Sequence, residues 1–242
     1  MITVVIPTYN EEKNIERCLR AFGEQTISRQ EFEIIVVDGQ SSDRTVEIAQ
    51  RYADRVIQQV SEGVGGARND GVRAARGDVI VTTDADCIPN REWLEVVQER
   101  FKNEDVVAVT GFLDPFDYED LNRYEAFIYR QLFRISNDML TVFAITGYYH
   151  LCGANSAFHR ETFLEVGGYL DLPYSDDVEI YKRLKSKGKM VLENRMKVNY
   201  SIRRIKRMSL IKYIYQITRN DFLTLILNMK PTDDSYARQV YD

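Results

Sequence analysis

Cysteine is scarce in this chain of 242 residues: Cys18, Cys87 and Cys152 are the whole set, and no two of them stand in C-x-x-C spacing. Neither a disulfide framework nor a zinc knuckle is indicated, and a reducing, cytoplasmic setting is expected. Histidine is scarcer still, and His150 and His159 lack metal-ligand spacing, so a zinc centre is a poor expectation. No apolar run approaches the roughly 20 residues a membrane span needs, and Met1-Ile2-Thr3-Val4 starts without a basic leader, so the sequence predicts a soluble protein. Positive charge is not in excess either: 32 Lys and Arg stand against 37 Asp and Glu, a net of −5, which argues against a surface built to hold nucleic acid. Glycine-rich phosphate loops are also missing. Gly63-Val64-Gly65-Gly66 departs from G-x-G-x-x-G because position 68 is Arg68, and nothing resembles G-x-x-x-x-G-K-[ST]; these glycines are expected to ease a turn.

What remains is a chain with 44% hydrophobic residues, enough to bury one full core, in which strand-like and helix-like patterns alternate from the start. Thr3 to Ile6, Phe32 to Val37, Arg55 to Gln58, Val79 to Thr83 and Val106 to Phe112 read as strands, with helical spacing between them. The run from Phe32 to Val37 is continuously apolar, as a strand covered on both faces requires. This order predicts an α/β fold with a mainly parallel sheet flanked by helices. Beyond about residue 115 the rhythm loosens. Helices are expected over Tyr118 to Leu140, Asp177 to Lys187 and, strongly amphipathic, Met208 to Met229, with a short strand at Ser156 to Phe158.

The polar residues fall where predicted strands end. Pro7-Thr8-Tyr9-Asn10-Glu11 follows the first, Asp38-Gly39-Gln40-Ser41 the second, and Asp84-Ala85-Asp86 the fourth. In a parallel sheet these edges converge on one crevice, where open α/β sheets place their chemistry. Two carboxylates one residue apart cannot both enter a core, so Asp84 and Asp86 must face water or a cation, a polar strand-to-loop junction being the plainer alternative. A ring at Tyr9, an acceptor at Asp38 and a metal-type acid pair suit a nucleoside diphosphate. Asp38 fits an Asx-turn into Gly39 equally well, and Asp43 fits a helix cap better than a ligand.

Val5-Ile6-Pro7-Thr8-Tyr9-Asn10-Glu11, Val36-Val37-Asp38-Gly39-Gln40-Ser41-Ser42-Asp43, Gly66-Ala67-Arg68-Asn69-Asp70-Gly71 and Thr83-Asp84-Ala85-Asp86 resemble family-two glycosyltransferases of the GT-A fold. Gly153-Ala154-Asn155-Ser156-Ala157-Phe158, Gly167-Gly168-Tyr169 and Asp176-Asp177-Val178-Glu179 are similar to the acceptor-side half of that family, so the likeness covers roughly residues 1–205. The resemblance implies a nucleotide pocket lined by Pro7, Tyr9, Glu11, Asp38 and Arg68. Asp84 would face the ribose or the metal, and Asp86 would bind Mg²⁺ or Mn²⁺ bridging the donor diphosphate. Gly153, Ala154 and Asn155 would lie on the acceptor side, and Asp177 would be the catalytic base, with Asp176 standing where Glu is commoner. One base and one displacement imply inversion at the anomeric carbon.

Other readings stay beside this one. Asp176 with Glu179 also forms a capping-box-like helix start, compatible with Asp177 projecting toward an acceptor. The cluster Arg203-Arg204-Lys206-Arg207 fits a diphosphate, a phosphorylated lipid or a solvated basic face. The family's processive members carry Gln-x-x-Arg-Trp; the sole tryptophan here is Trp93, so long-polymer synthesis is not expected. A sugar-nucleotide nucleotidyltransferase would need a Gly-rich, Arg-containing loop after the first strand, which Pro7-Thr8-Tyr9-Asn10 does not supply; a non-catalytic scaffold of the same fold is the third class. Residues 1–205 are expected to form the GT-A unit, 1–115 holding the donor and 116–205 the acceptor, with 206–242 a helical extension. The acceptor would be a sugar or lipid-linked hydroxyl. The apolar stripe of the last helix would pack on the domain, on a second copy as a homodimer, or on the cytoplasmic face of a membrane.

Overall fold

The computed structural model describes residues 1–170, 176–207 and 219. Eight strands form one sheet: β1 (Ile2–Thr8), β2 (Phe32–Asp38), β3 (Arg55–Gln58), β4 (Val79–Thr82), β5 (Cys87–Pro89), β6 (Val106–Phe116), β7 (Ser156–His159) and β8 (Lys189–Ser201), in the order β3-β2-β1-β4-β7-β6-β8-β5. The pairings leave β7 and β5 running against the other strands. The mainly parallel α/β sheet expected from the alternation is therefore present.

Its most fully covered strands are β1 and β2, where all seven residues of each are buried. Alternate side chains feed two cores. Ile2, Val4 and Ile6 join Ile34, Val36 and Trp93 on one face, while Val5, Ile35 and Val37 join Phe158, Phe163 and Tyr169 on the other. Pro7 sits inside β1, where a missing N–H would ordinarily break a ladder. The Val5 carbonyl accepts from Thr83 N, and that of Thr8 from Gly39 N, so the Pro7 nitrogen faces the β4 side. Pairing with β4 stops at Val5–Thr82, and the absent donor costs nothing there.

The helices are α1 (Ile15–Arg20), α2 (Thr45–Ala49), α3 (Gly63–Ala74), α4 (Trp93–Arg100), α5 (Arg123–Ile145), α6 (Arg160–Glu165), α7 (Asp176–Leu184) and α8 (Arg203–Arg207). The expected helix from Tyr118 starts later, at Arg123, because Asn122 caps it: its side chain accepts from Tyr124 N and Glu125 N at 3.0 Å each, and Glu125 returns a bond to Asn122 N. Gly63 to Gly66 belong to the first turns of α3 rather than to a turn before it. Strand β8 was not expected from the sequence pattern. The amphipathic segment Met208 to Met229 lies outside the described residues.

Strand direction decides what meets at the working edge. β1, β2 and β4 end there, and β1 and β4 flank the point where the strand order reverses, which leaves a crevice between their loops. Because β7 is reversed, its first residue, Ser156, pairs with Thr82, so Gly153-Ala154-Asn155 arrives at the same edge. β5 pairs Cys87 with Tyr200, which carries the end of β8, and Arg203 after it, up to Asp86.

Candidate active site

The loops after β1 and β2 are laced together by side chains that replace ladder bonds. Asn10 N donates to Ser41 Oγ at 2.8 Å, Glu11 N to Thr45 Oγ1 at 2.7 Å and Glu12 N to Asp43 Oδ2 at 3.1 Å. Asp43 also accepts from the N–H of Thr45, the first residue of α2, so it closes a loop and a helix end together. Burial works to raise its pKa, yet these hydrogen bonds outweigh burial and hold the carboxyl below its ordinary range. Asp38, buried at the end of β2, forms the Asx-turn: Oδ2 accepts from Gln40 N and Ser41 N at 3.0 Å each, and Oδ1 from Ser41 Oγ at 2.6 Å. Tyr9 stands half-buried at the mouth between these loops.

Each residue of Arg68-Asn69-Asp70-Gly71 on α3 has its own task. A Cβ at Gly71 would stand 2.3 Å from Val5 Cγ1, so only glycine lets α3 seat this closely on β1. Asp70 accepts from Val60 N and Ser61 N, and Asn69 mimics a strand by pairing with both the N–H and the carbonyl of Tyr169. Arg68, 6% exposed, extends under the crevice and gives Nη2 to Asp84 Oδ1 at 2.7 Å. A side chain at Gly153 would strike that guanidinium at 2.4 Å, so Gly153 provides room for Arg68.

Asp84 and Asp86 follow β4 as expected, and each has an arginine. Arg203 Nε donates to Asp86 Oδ2 at 3.0 Å, and its Nη2 reaches Glu11 Oε1. Burial alone would weaken the Arg203 charge, but Asp86 and Glu11 outweigh it and raise its pKa. The basic cluster of the sequence is thus not wholly a solvated face: Arg203 is turned inward. Three acids and two arginines leave the group one negative charge in excess. Below it, the buried thiols of Cys18 and Cys87 are pushed up by burial first and then by the charges of Asp86 and Asp84.

Among the described residues, the group that could hold a metal ion is Asp84, Asp86 and Cys87, with ligand atoms within 4.8 Å of one another. The two carboxylates are partly exposed and aimed at the crevice, whereas Cys87 is fully buried and held protonated. Hard oxygen donors of this kind fit Mg²⁺ or Mn²⁺.

Asp177, one-fifth exposed at the start of α7, takes a hydrogen bond from Val178 N at 2.9 Å on Oδ1 and lies 3.1 Å from His150 Nε2 on Oδ2. His150 is fixed in turn by Thr110 Oγ1, which donates to its carbonyl at 2.8 Å. Burial would raise the Asp177 pKa, but His150, the Val178 N–H and the positive field of Arg68 hold it below the ordinary value. Arg68 stands between the two carboxylate groups, paired with Asp84 and felt by Asp177. Nothing along the chain marks His150, beyond its being one of two histidines, because its partner lies 27 positions away on another element. Glu179, read as half of a capping box, accepts hydrogen bonds from Arg183. The Asp176 side chain is outside the described residues.

Of the acceptor-side residues, Gly153 touches the site through Arg68, while Ala154 and Asn155 lie in the core. Asn155 Oδ1 accepts from Trp93 Nε1 at 2.8 Å, and Nδ2 donates to the carbonyls of Phe112 at 2.9 Å and Met196 at 3.1 Å. That braces α4, β6 and β8 from one amide. Asn155→Ala strands a buried donor and two carbonyls, and a loss on the order of 3 kcal/mol is expected in urea unfolding. A variant of unchanged stability but altered acceptor KM would show the residue acting on substrate instead.

The profile of the family described as Glycosyl transferase family 2 matches residues 3–167, and the chain belongs to that family. It is 33% identical over 141 residues to glycosyltransferase AglE of Haloferax volcanii, covering 54% of this chain and 46% of that protein. It is 35% identical over 118 residues to EpsJ of Bacillus subtilis, an uncharacterized glycosyltransferase, covering 46% of this chain and 34% of that one. The chain therefore spans less than half the length of these curated relatives. Its fold is similar to that of the mannosyltransferase PcManGT from Pyrobaculum calidifontis in complex with GDP-Man and Mn²⁺, with a TM-score of 0.65 and 23% identity over 91% of this chain and 66% of that one. It also resembles residues 1–349 of Staphylococcus aureus TarS in complex with UDP-GlcNAc, with a TM-score of 0.67 and 18% identity over 97% and 68% of the two chains.

Proposed function

We propose that this chain moves a sugar from a nucleotide-diphosphate sugar to an acceptor hydroxyl by a single displacement with inversion, aided by a divalent cation at Asp84 and Asp86. The observation that carries the reading is the pairing of two separate carboxylate centres across Arg68. One is an acid pair in the crevice between β1 and β4, and the other is Asp177 with His150 at its side. Nucleotide sugars in the complexes of structurally similar proteins support the donor class.

In this reading the Tyr9 ring covers the base. Asp38 already accepts three hydrogen bonds, and a carboxylate has about four acceptor sites, so one remains for a base N–H. Glu11 and Pro7 shape the pocket wall. The cation would supply charge neutralisation for the departing diphosphate. Arg203, with its guanidinium in the same crevice, is placed to give hydrogen bonds to phosphate oxygens. Asp177, held ionised, takes the proton of the attacking hydroxyl on the side of the sugar opposite the leaving group, and that geometry inverts the anomeric centre. The catalytic unit would be residues 1–205.

A thermal-shift screen of nucleoside diphosphates and their sugars, with and without Mn²⁺, tests the donor half. A ligand at 100 times its Kd adds about 2.7 kcal/mol. One nucleotide with Mn²⁺ is expected to raise Tm by more than either alone. If no nucleotide stabilised the protein, the donor assignment would fail.

A further inference from the structure

Of the 13 large apolar side chains exposed among the described residues, eight lie on α5. Tyr124, Ile128, Ile135, Met139 and Val142 follow one another at intervals of four, seven, four and three, which keeps them on one face, and they are 48 to 83% exposed. This face looks away from the protein. The opposite one is already satisfied, with Phe133 packed on Tyr200 and Asn137 exchanging hydrogen bonds with Leu113 of β6. None of the helix's 23 residues is fully buried. A surface helix normally buries its apolar stripe, and among the described residues this one leaves about 27 Å of it uncovered.

The charges beside the stripe identify what covers it. Arg123, Arg130 and Arg134, all exposed, run down one edge of α5 at intervals of seven and four, against the −5 balance of the whole chain. Glu125 is on the other edge, tied into the helix cap, while Asp138 follows Arg134 by four on the arginine edge and lines the groove beside it, leaving that edge with three positive charges against one negative. Arg130 and Arg134 also front a groove of about 930 Å³ between α5 and strands β6 and β8, where Lys197 adds a further cation, Asp114 faces them and Glu193 is paired with Arg100. A two-fold pair of antiparallel α5 helices would set this arginine edge against its own copy, which like charges oppose. With five charged residues α5 is no membrane span, and no helix among the described residues is long and apolar enough to be one.

We propose that the outer face of α5 lies in the surface of an anionic lipid bilayer, the apolar stripe in the acyl boundary and the arginine edge at the phosphates. The helix leads through Gly147 to His150, beside Asp177, so the bilayer would hold the acceptor side of the site near its surface. The acceptor class that follows is a lipid-carried hydroxyl; that step alone rests on the proposed transfer reaction.

Co-sedimentation of the whole chain with vesicles of phosphatidylcholine containing about one third phosphatidylglycerol tests the surface without any activity. The chain is expected to bind these vesicles, to bind pure phosphatidylcholine less, and to release with salt. Ile135→Glu with Val142→Glu is expected to cut partitioning by at least about tenfold, with Tm and the nucleotide-diphosphate shift unchanged. Ile214→Glu with Ile217→Glu, in the other apolar stripe of the sequence, is expected to release less. The proposal falls if the wild type ignores anionic vesicles, or if only the second variant releases. It falls equally if light scattering shows a dimer that the α5 variant splits while vesicle binding persists. Vesicle binding with no nucleotide response would leave the surface standing and remove the transferase reading.

Discussion

Asp177→Asn is expected to bind donor as the wild type does and to lose transfer by about 10²- to 10⁴-fold, the range a general base contributes. The substitution keeps the shape of the side chain and an oxygen for the Val178 N–H, so the start of α7 has no reason to move. What it removes is the carboxylate that would accept the hydroxyl proton in the proposed reaction. The pH dependence follows from the same geometry. Asp177 is held below the usual carboxylate range, so it stays ionised, and competent as a base, well below neutral pH. Activity should therefore be flat through neutrality and fall only as pH drops through that lowered pKa. In His150→Ala the burial of Asp177 is no longer offset by its nearest partner, its pKa rises, and the acid limb of kcat/KM moves to higher pH. His150→Gln keeps a donor and should recover part of the shift. A merely structural histidine would lower activity equally at every pH. Full transfer in Asp177→Asn would remove the base assignment, and loss in Asp176→Asn instead would move it one residue.

The sheet and the acids at its working edge were legible because their signals are local. β1 and β2 are continuous apolar runs, and the acids that end β1, β2 and β4 need only the parallel order to meet. β8 was hidden by its own bulge. Its register with β6 jumps between Leu192 and Lys197, where Glu193, Asn194 and Arg195 interrupt the alternation that marks a strand. Glu193 can be buried there because Arg100 of α4 supplies its counter-charge, a contact no sequence window contains. The same limit separates Arg203 from Asp86 and His150 from Asp177. Each pair is made by strand reversals at β5 and β7, whereas spacing along the chain shows only a basic run and a lone histidine. Asn155 is expected on the acceptor side from its motif, and the structure buries it completely. Three partners from three elements make it a core brace.

Asp86→Ala should abolish the part of nucleotide-diphosphate stabilisation that depends on Mn²⁺ and, with it, transfer. Asp86 is a better probe than Asp84, and the arginines explain why. Arg68 is almost wholly buried and pairs with Asp84 at 2.7 Å, so Asp84→Ala removes one half of a buried ion pair and confuses folding with binding. Arg203 is paired with both Asp86 and Glu11, and keeps Glu11 when Asp86 is removed. The fold should then hold while the donor set falls from two hard oxygens to one. For the wild type, EDTA should erase the same increment of Tm that the mutation erases, and adding EDTA to the mutant should change nothing further. Hard-cation chemistry also orders the metals: Mg²⁺ or Mn²⁺ should restore the wild-type increment, because the sulfurs nearby, Cys18 and Cys87, stay buried thiols. A mutant that kept its full Mn²⁺ increment would place the cation on other ligands and leave Asp86 as no more than the counter-charge of Arg203.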